Sequence, residues 1–334
     1  MVYDVTNQQL TAFDRWRTNR PHVVILGAGA SFAAFPSGDA RGKRLPLMAN
    51  VVDVLGLKRL VKEAGFDPKG NFERLYSRLH SLEPQPPILA HIEQRVTDYF
   101  GSLELPNYPT LYDLILLSMR EKDAIFTFNW DPFLADAYIR NYGEAPLPNI
   151  FHLHGNVRVA FCGTCGHSLP KAEVCDQCGK TLVPSRLLFP VEKKNYGDDR
   201  FISSQWDAAR DYIKCAALIT IFGYSAPKTD TEAMAILNEA WKVDDPEKKP
   251  VERVEIIDIR DHEELSRLWF PFAHFDHYDI RRGFYQSWLA HFPRRTCEAL
   301  AHGGIDGHFV EPIPWAGSLE GIRNTLSDLI AAEG

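Results

Sequence analysis

Two cysteine pairs limit how this chain can fold more than any other feature: Cys162-Gly-Thr-Cys165 and Cys175-Asp-Gln-Cys178. Nine residues separate the pairs, and a glycine follows each, Gly166 and Gly179. Thiolates at this spacing close a tetrahedral four-cysteine shell around Zn2+. The glycines let the backbone turn tightly beneath the sulfurs. Four of the six cysteines fall within 17 residues. A redox pair is the competing reading, but two pairs so close together favour metal. Four thiolate ligands leave no open coordination position, so the expected zinc is structural and any chemistry lies elsewhere.

The 334 residues, 45% of them hydrophobic, are ample for one large domain or a domain with insertions. A formal net charge of -7 gives no basic footprint, so no nucleic-acid partner is expected. No apolar run is long enough to span a bilayer, and residues 1–21 lack the pattern of a signal peptide. With thiolates that must stay reduced, these features point to a cytoplasmic enzyme or subunit. Cys215 precedes an apolar run and is expected in the core. Cys297 has no readable role.

Short apolar, β-branched runs recur along the chain: His22–Leu26, Ala124–Phe128, Ile150–Leu153, Ala217–Phe222 and Val254–Asp258. Continuous apolar runs suit parallel strands covered on both faces. Amphipathic stretches follow several of them, such as Pro132–Arg140 and Thr229–Trp241. The fold class is therefore α/β, a Rossmann-like doubly wound parallel sheet, with a helical insert and a small four-cysteine zinc-ribbon module. The insert covers residues 36–122, with helices expected at Leu47–Glu63 and Ile88–Phe100 and a proline-rich break at Glu83–Pro87. The zinc module covers 157–190. Residues 1–20 form an N-terminal extension, 21–262 the sheet domain, and 263–334 a helical C-terminal segment ending in Ser318–Ala332.

Candidate site residues stand at strand ends. Gly27-Ala28-Gly29-Ala30-Ser31 follows the first strand and opens a helix, where glycines let a backbone approach a pyrophosphate. The third glycine of a G-x-G-x-x-G pattern is absent, and a turn built only for tight packing is the alternative. Asn129 and Asp131 end the next strand, in Thr127-Phe-Asn-Trp-Asp131. Asp131 is placed to cap the following helix, with Pro132 in its first turn, which leaves Asn129 for a ligand. His152 and His154 share one face of a strand by alternation. His154, beside Gly155 and nearer the strand end, is the preferred acid–base group. Gly223-Tyr-Ser225 makes a second small-residue turn suited to phosphate or ribose. Asp258 closes the last strand, either to meet ribose hydroxyls or as an ordinary turn residue.

In this order the motifs resemble the sirtuin family: Gly-Ala-Gly-Ala-Ser, Thr-x-Asn-x-Asp, His-Gly, two zinc knuckles, Gly-x-Ser and an acidic residue after the last strand. The resemblance covers roughly residues 20–262. It implies that the sheet domain binds NAD, with Gly27, Ala28, Gly29 and Ser31 lining the site and Asn129 and Asp131 facing the nicotinamide ribose. It further implies His154 as the catalytic histidine, with Gly223, Ser225 and Asp258 holding phosphate and adenosine ribose. Two segments depart from protein-deacylating members. Phe35-Pro-Ser-Gly-Asp-Ala-Arg-Gly-Lys-Arg44 lacks their Phe-Arg pair, and Leu188-Phe-Pro-Val-Glu192 stands where they carry a Phe-Gly-Glu type segment beside the acyl-lysine channel. The chain is more similar to divergent bacterial members, many of which hydrolyse NAD, often as antiphage effectors. An NAD glycohydrolase is thus expected, with Asn129 and His154 as its catalytic residues. A lysine deacylase and a catalytically quiet NAD-binding sensor are the alternatives. A second copy of the chain or a partner defence subunit is the expected company, and no membrane.

Overall fold

The computed structural model describes residues 19–170, 172–191, 196–226, 230–241, 251–269, 278–306, 315 and 317–333. The N-terminal extension up to residue 18, Glu192 and Thr229 lie outside them.

Each apolar run becomes a strand within one residue of its expected ends, and all but the partly exposed edge strand Asn149–His152 are largely buried on both faces. The strands are β1 (His22–Leu26), β2 (Ala124–Thr127), β3 (Asn149–His152), β7 (Leu218–Phe222) and β8 (Arg253–Ile257). Side chains alternate between two cores, as strand geometry requires. Val24, Leu26, Phe222 and Ile257 enter one, while Val23, Ile25, Ile221 and Ile256 enter the other. Among the described residues the sheet is parallel throughout, in the order β3-β2-β1-β7-β8-β9, where β9 is Tyr278–Arg281. The chain winds outward from β1 to β3, then crosses back to β7 and winds the other way. The switch point lies between β1 and β7, where open α/β sheets place their ligands.

The sixth strand, β9 (Tyr278–Arg281), falls in the segment read as helical. Its Tyr-Asp-Ile-Arg sequence is partly exposed and half polar, as suits a sheet edge, so it lacks the apolar run that marked the others. The C-terminal residues are therefore continuous with the sheet. Leu289, Ala290, Ile322 and Leu326 share a core with Val24 and Phe222.

Helix α1 (Ala28–Ala34) follows β1. The insert folds as α2 (Val51–Val54), α3 (Lys58–Glu63), α4 (Phe72–His80), α5 (Ile88–Gly101) and α6 (Leu111–Leu117). The single helix expected over Leu47–Glu63 is two, because Gly56 takes a left-handed φ of 67° and ends α2. Then come α7 (Phe133–Asn141), α8 (Arg200–Cys215), α9 (Thr231–Trp241), α10 (His262–Trp269), α11 (Trp288–His291), α12 (Thr296–Asp306) and α13 (Leu319–Ala331). Cys215, expected in the core, ends α8 and is exposed; Cys297 is the buried one. None of the described helices is long and apolar enough to cross a membrane.

Two buried ionic clasps hold the helices that frame the sheet's ligand end. Asp113, in the first turn of α6, closes a capping box with Thr110. It also accepts from Arg140 Nε at 3.0 Å and Asn141 Nδ2 at 2.8 Å, which fixes α6 to α7. Arg294, fully buried, donates to the carbonyls of Leu117 and Met119 at the end of α6 and pairs with Glu333 (Nη2–Oε2 2.7 Å).

The zinc module is an antiparallel sheet β5-β4-β6 of β4 (Val159–Phe161), β5 (Ser168–Pro170) and β6 (Val183–Pro184). It is inserted between β3 and α8.

Candidate active site

The two knuckles repeat one backbone motif. Cys162 N donates to His167 O and Gly166 N to Cys162 O; Cys175 N donates to Lys180 O and Gly179 N to Cys175 O. Gly166 and Gly179 take φ of 79° and 68°, the left-handed conformation for which glycine stands there. All four sulfurs lie within 4.8 Å of one another. Neighbouring sulfurs are 3.4, 3.5 and 3.7 Å apart. Tetrahedral zinc with bonds near 2.3 Å requires separations of about 3.8 Å, so Cys162, Cys165, Cys175 and Cys178 fit a structural Zn2+.

At the switch point the glycine turn meets its own chain. Gly27 N donates to Phe222 O at 3.0 Å and Gly29 N to Gly223 O at 2.9 Å. A Cβ on Gly27 would lie 2.5 Å from Tyr224 Cα, one on Gly29 2.8 Å from Gly223 Cα, and one on Gly223 2.2 Å from Ala30 N. The close approach that demands these glycines is therefore between the β1 and β7 turns, as a turn built for tight packing requires. Ala28 and Ser31 complete the first turn of α1.

Beneath this turn lies a buried polar cluster. Asn129 Nδ2 faces Gly27 O at 2.9 Å, Ser31 Oγ at 3.0 Å and Tyr112 Oη at 3.3 Å. Ser31 Oγ donates to Asp131 Oδ2 at 2.6 Å and lies 2.6 Å from Tyr112 Oη. Asp131 Oδ1 accepts from Phe133 N at 3.3 Å, so the carboxylate serves both the start of α7 and Ser31. Burial pushes Asp131 up to about 6. Burial, and then the charge of Asp131, pushes the Tyr112 hydroxyl well above its ordinary range, so it stays protonated. Among the described residues nothing donates to Asn129 Oδ1.

His154 lies in the turn after β3, whose His152 pairs with Thr127 of β2, and it packs on Phe128, the residue before Asn129. Its ring stands edge-on to Phe128 (4.8 Å between centroids), and its Nε2 lies 3.4 Å from Tyr196 Oη. Phe128 stacks on Tyr224 at 4.1 Å, with the ring planes nearly parallel. His152 is a different kind of residue. Burial pushes it down to about 4, so it is neutral, and its Nδ1 is buried without a partner.

Behind the histidine, Gly155 has φ of 75°, and a Cβ there would lie 2.0 Å from Arg186 O. Asn156 Nδ2 donates to Asp131 O at 2.7 Å and Asn129 O at 3.3 Å, tying the Asn–Asp turn to the root of the zinc module. Ser225 is exposed at the β7 turn, and Ala226 beside it is held at a φ of 45°. Asp258 is engaged by its neighbour: Arg260 donates through N at 2.9 Å and Nη2 at 2.8 Å.

Both departing segments are built into the fold. In the first, Asp39 accepts the backbone N–H groups of Arg41, Lys43 and Glu104. In the second, Phe189 stacks on Tyr76 at 4.9 Å and packs on Trp130 at 5.0 Å, while Ser77 Oγ donates to Pro190 O at 2.9 Å. The insert thus closes directly on the segment after the zinc module.

The cluster brings together Ser31, Asn129 and Asp131, while His154, expected on a strand face, lies in the turn just past β3. The sequence reading missed Tyr112, Asn156, Phe128 and Tyr196. Asn156 had a signal, a polar residue directly after Gly155. Tyr112 had none, because it arrives from the insert.

Strand order, switch-point turn and four-cysteine ribbon define a Rossmann-like α/β protein with a zinc module. No family model matches the sequence, and no curated protein does. Solved structures to which the chain is similar are Sir2 homologues. One is a Sir2 homologue in complex with NAD, at 16% identity and TM-score 0.38, covering 87% of this chain and 96% of that one. Another is a mutant Sir2 homologue with ADP-ribose, at 17% and 0.42, covering 87% and 98%. A third, from work on the mechanism and regulation of Sir2 enzymes, is at 14% and 0.39, covering 96% and 97%. They are of the family that the motifs resemble; the fold class itself rests on this chain's own strand order and register.

Proposed function

We propose that this chain consumes NAD by cleaving the bond between nicotinamide and ribose, as an NAD glycohydrolase. The observation that carries this reading is the setting of Asn129. Its Nδ2 is committed to the protein and its Oδ1 is not, at the switch point of a doubly wound sheet and next in sequence to Phe128, on which His154 packs. In the reaction the C1′–nitrogen bond breaks and nicotinamide leaves with its electron pair. Water oxygen then bonds to C1′ and loses a proton. Asn129 Oδ1 is suited to accept a hydrogen bond from that water or a ribose hydroxyl. His154 is suited to take the proton, as general base. Ala28, Gly29 and Ser31 with Gly223, Ser225 and Asp258 are the proposed lining for phosphates and adenosine ribose. For Asp258 to serve, Arg260 must share or release it.

The sirtuin resemblance puts an acyl-lysine channel beside Leu188–Glu192; Phe189 and Pro190 of that segment pack on Tyr76 and Ser77, and this is the reason we prefer hydrolysis to deacylation. Incubation of the pure protein with NAD, with and without an acetylated peptide, is the test. Nicotinamide release without peptide is expected. Release only with peptide would make the chain a deacylase, and binding without release a sensor. His154→Ala and Asn129→Ala should each lower turnover by ~10²-fold or more with zinc content retained, whereas His152→Ala should act through stability. We place the protein in the cytoplasm as a defence effector, alone or with a partner subunit. NAD levels in phage-challenged cells carrying wild-type or Asn129→Ala protein test that role.

A further inference from the structure

We propose that Tyr112, supplied by the helical insert, is the positioning residue that holds Asn129 with its Oδ1 toward the substrate. The inference rests on the reading above for what the substrate is, and on hydrogen-bond direction for the rest. An ionised carboxylate only accepts, so the single hydroxyl proton of Ser31 goes to Asp131. Ser31 Oγ can then only accept from Tyr112, which donates its own proton at 2.6 Å. The phenol oxygen is left as an acceptor, facing Asn129 Nδ2 at 3.3 Å. Gly27 O, also a pure acceptor, faces the same nitrogen at 2.9 Å.

Every group around that end of the amide therefore presents an acceptor, and the order is imposed along the chain Tyr112, Ser31, Asp131. Without the phenol, Ser31 Oγ loses its incoming proton and Asn129 loses a wall of its slot. The side chain could then rotate or tilt, presenting nitrogen where oxygen is required.

Tyr112 is well placed to act as a fixed point. It is fully buried, and Phe35 packs on its ring at 6.0 Å. The next residue, Asp113, locks α6 to α7 through Arg140 and Asn141. The phenol therefore cannot drift without moving two helices. Tyr112 touches no reacting atom and acts on Asn129 directly and through the Ser31 hydroxyl.

The test is Tyr112→Phe in the full chain, which keeps the ring and removes only the hydroxyl. If wild type releases nicotinamide from NAD, the variant should show kcat lowered by about tenfold or more with KM for NAD within twofold, since misplacing a reacting group falls on the chemical step. Unchanged kcat, or a loss confined to KM, would overturn the proposal. A second measurement is independent of turnover. With the chain labelled with 15N-asparagine, the Asn129 side-chain amide is assigned by its loss in Asn129→Asp. Its protons should exchange with solvent at least tenfold faster in Tyr112→Phe. Equal exchange would overturn the proposal even if wild type consumed no NAD, a result that would separately refute the functional reading.

Discussion

Gly155→Ala tests how rigidly the histidine turn is seated on the zinc module. Two costs can be separated. A left-handed φ of 75° disfavours any L side chain, by about 1–2 kcal/mol. The new methyl would also lie 2.0 Å from Arg186 O and 2.9 Å from Arg186 C, backbone atoms that cannot swing aside. The two segments must part. Overpacking of this kind costs about 1–3 kcal/mol. Parting also strains Leu188 N to His154 O (2.9 Å) and Asn156 N to Ser185 Oγ (3.0 Å), each worth about 1 kcal/mol. The expected total is about 3–5 kcal/mol. Gly143→Ala is the control, because Gly143 has nearly the same φ, 80°, and nothing within 4 Å of its Cβ position. It should cost only the conformational part. Urea unfolding followed by tryptophan fluorescence compares the two, with nicotinamide release measured on the folded fraction. Gly155→Ala should be at least about 2 kcal/mol worse than Gly143→Ala and should lose most turnover. Equal unfolding midpoints, or full turnover in Gly155→Ala, would refute the idea that a stiff seam sets the histidine.

Metal analysis should find about one zinc per chain, and Cys175→Ser should lose both metal and proteolytic resistance across residues 157–184, given binding worth ~10–16 kcal/mol; a well-folded zinc-free wild type would end that reading. Glu255 is fully buried, and burial raises it to about 7, so the folded state holds its proton more tightly than the unfolded chain. Its stabilising contribution is complete below its ordinary value of 4.5 and is lost as pH rises through 7, by about 3 kcal/mol in all. Glu255→Gln should remove that loss, while His22 and His152, both pushed down to about 4, act in the opposite direction in either protein and cancel on subtraction; parallel stability–pH curves for the two proteins would contradict it. Glu333→Gln should destabilise by about 2–4 kcal/mol, because Arg294 would keep its carbonyl partners but lose its counter-charge; a thermal unfolding midpoint equal to wild type would count against the clasp.

Central strands were legible because burial on both faces demands unbroken apolar runs, as in His22–Leu26 and Leu218–Phe222. The metal site was legible because its chemistry lies within a few residues of chain. Asn129, Asp131 and His154 were legible as polar groups at strand ends. The hidden parts depend on distant partners. Edge strand Tyr278–Arg281 needs no apolar face, and nothing in its four residues marks it. Tyr112 lies 81 positions from Ser31, and a tyrosine in an apolar helix reads as core. The switch-point glycines look alike whether they face a phosphate or another turn, and only the position of Gly223 decides. Asp258 could be chosen by place, but its clasp by Arg260 shows only in three dimensions.

The chain departs for the zinc ribbon at Asn156 and comes back at Ser185, and these two residues are bonded to each other twice. Residues 157–184 therefore form a detour whose entrance and exit are one point. Lengthening such a closed detour costs little, about 0.6 kcal/mol for each doubling. Strand register is set elsewhere, so this point on the scaffold is a natural graft site. A ribbon of another size, or a foreign domain with adjacent ends, could be spliced between Asn156 and Ser185 without re-registering the sheet.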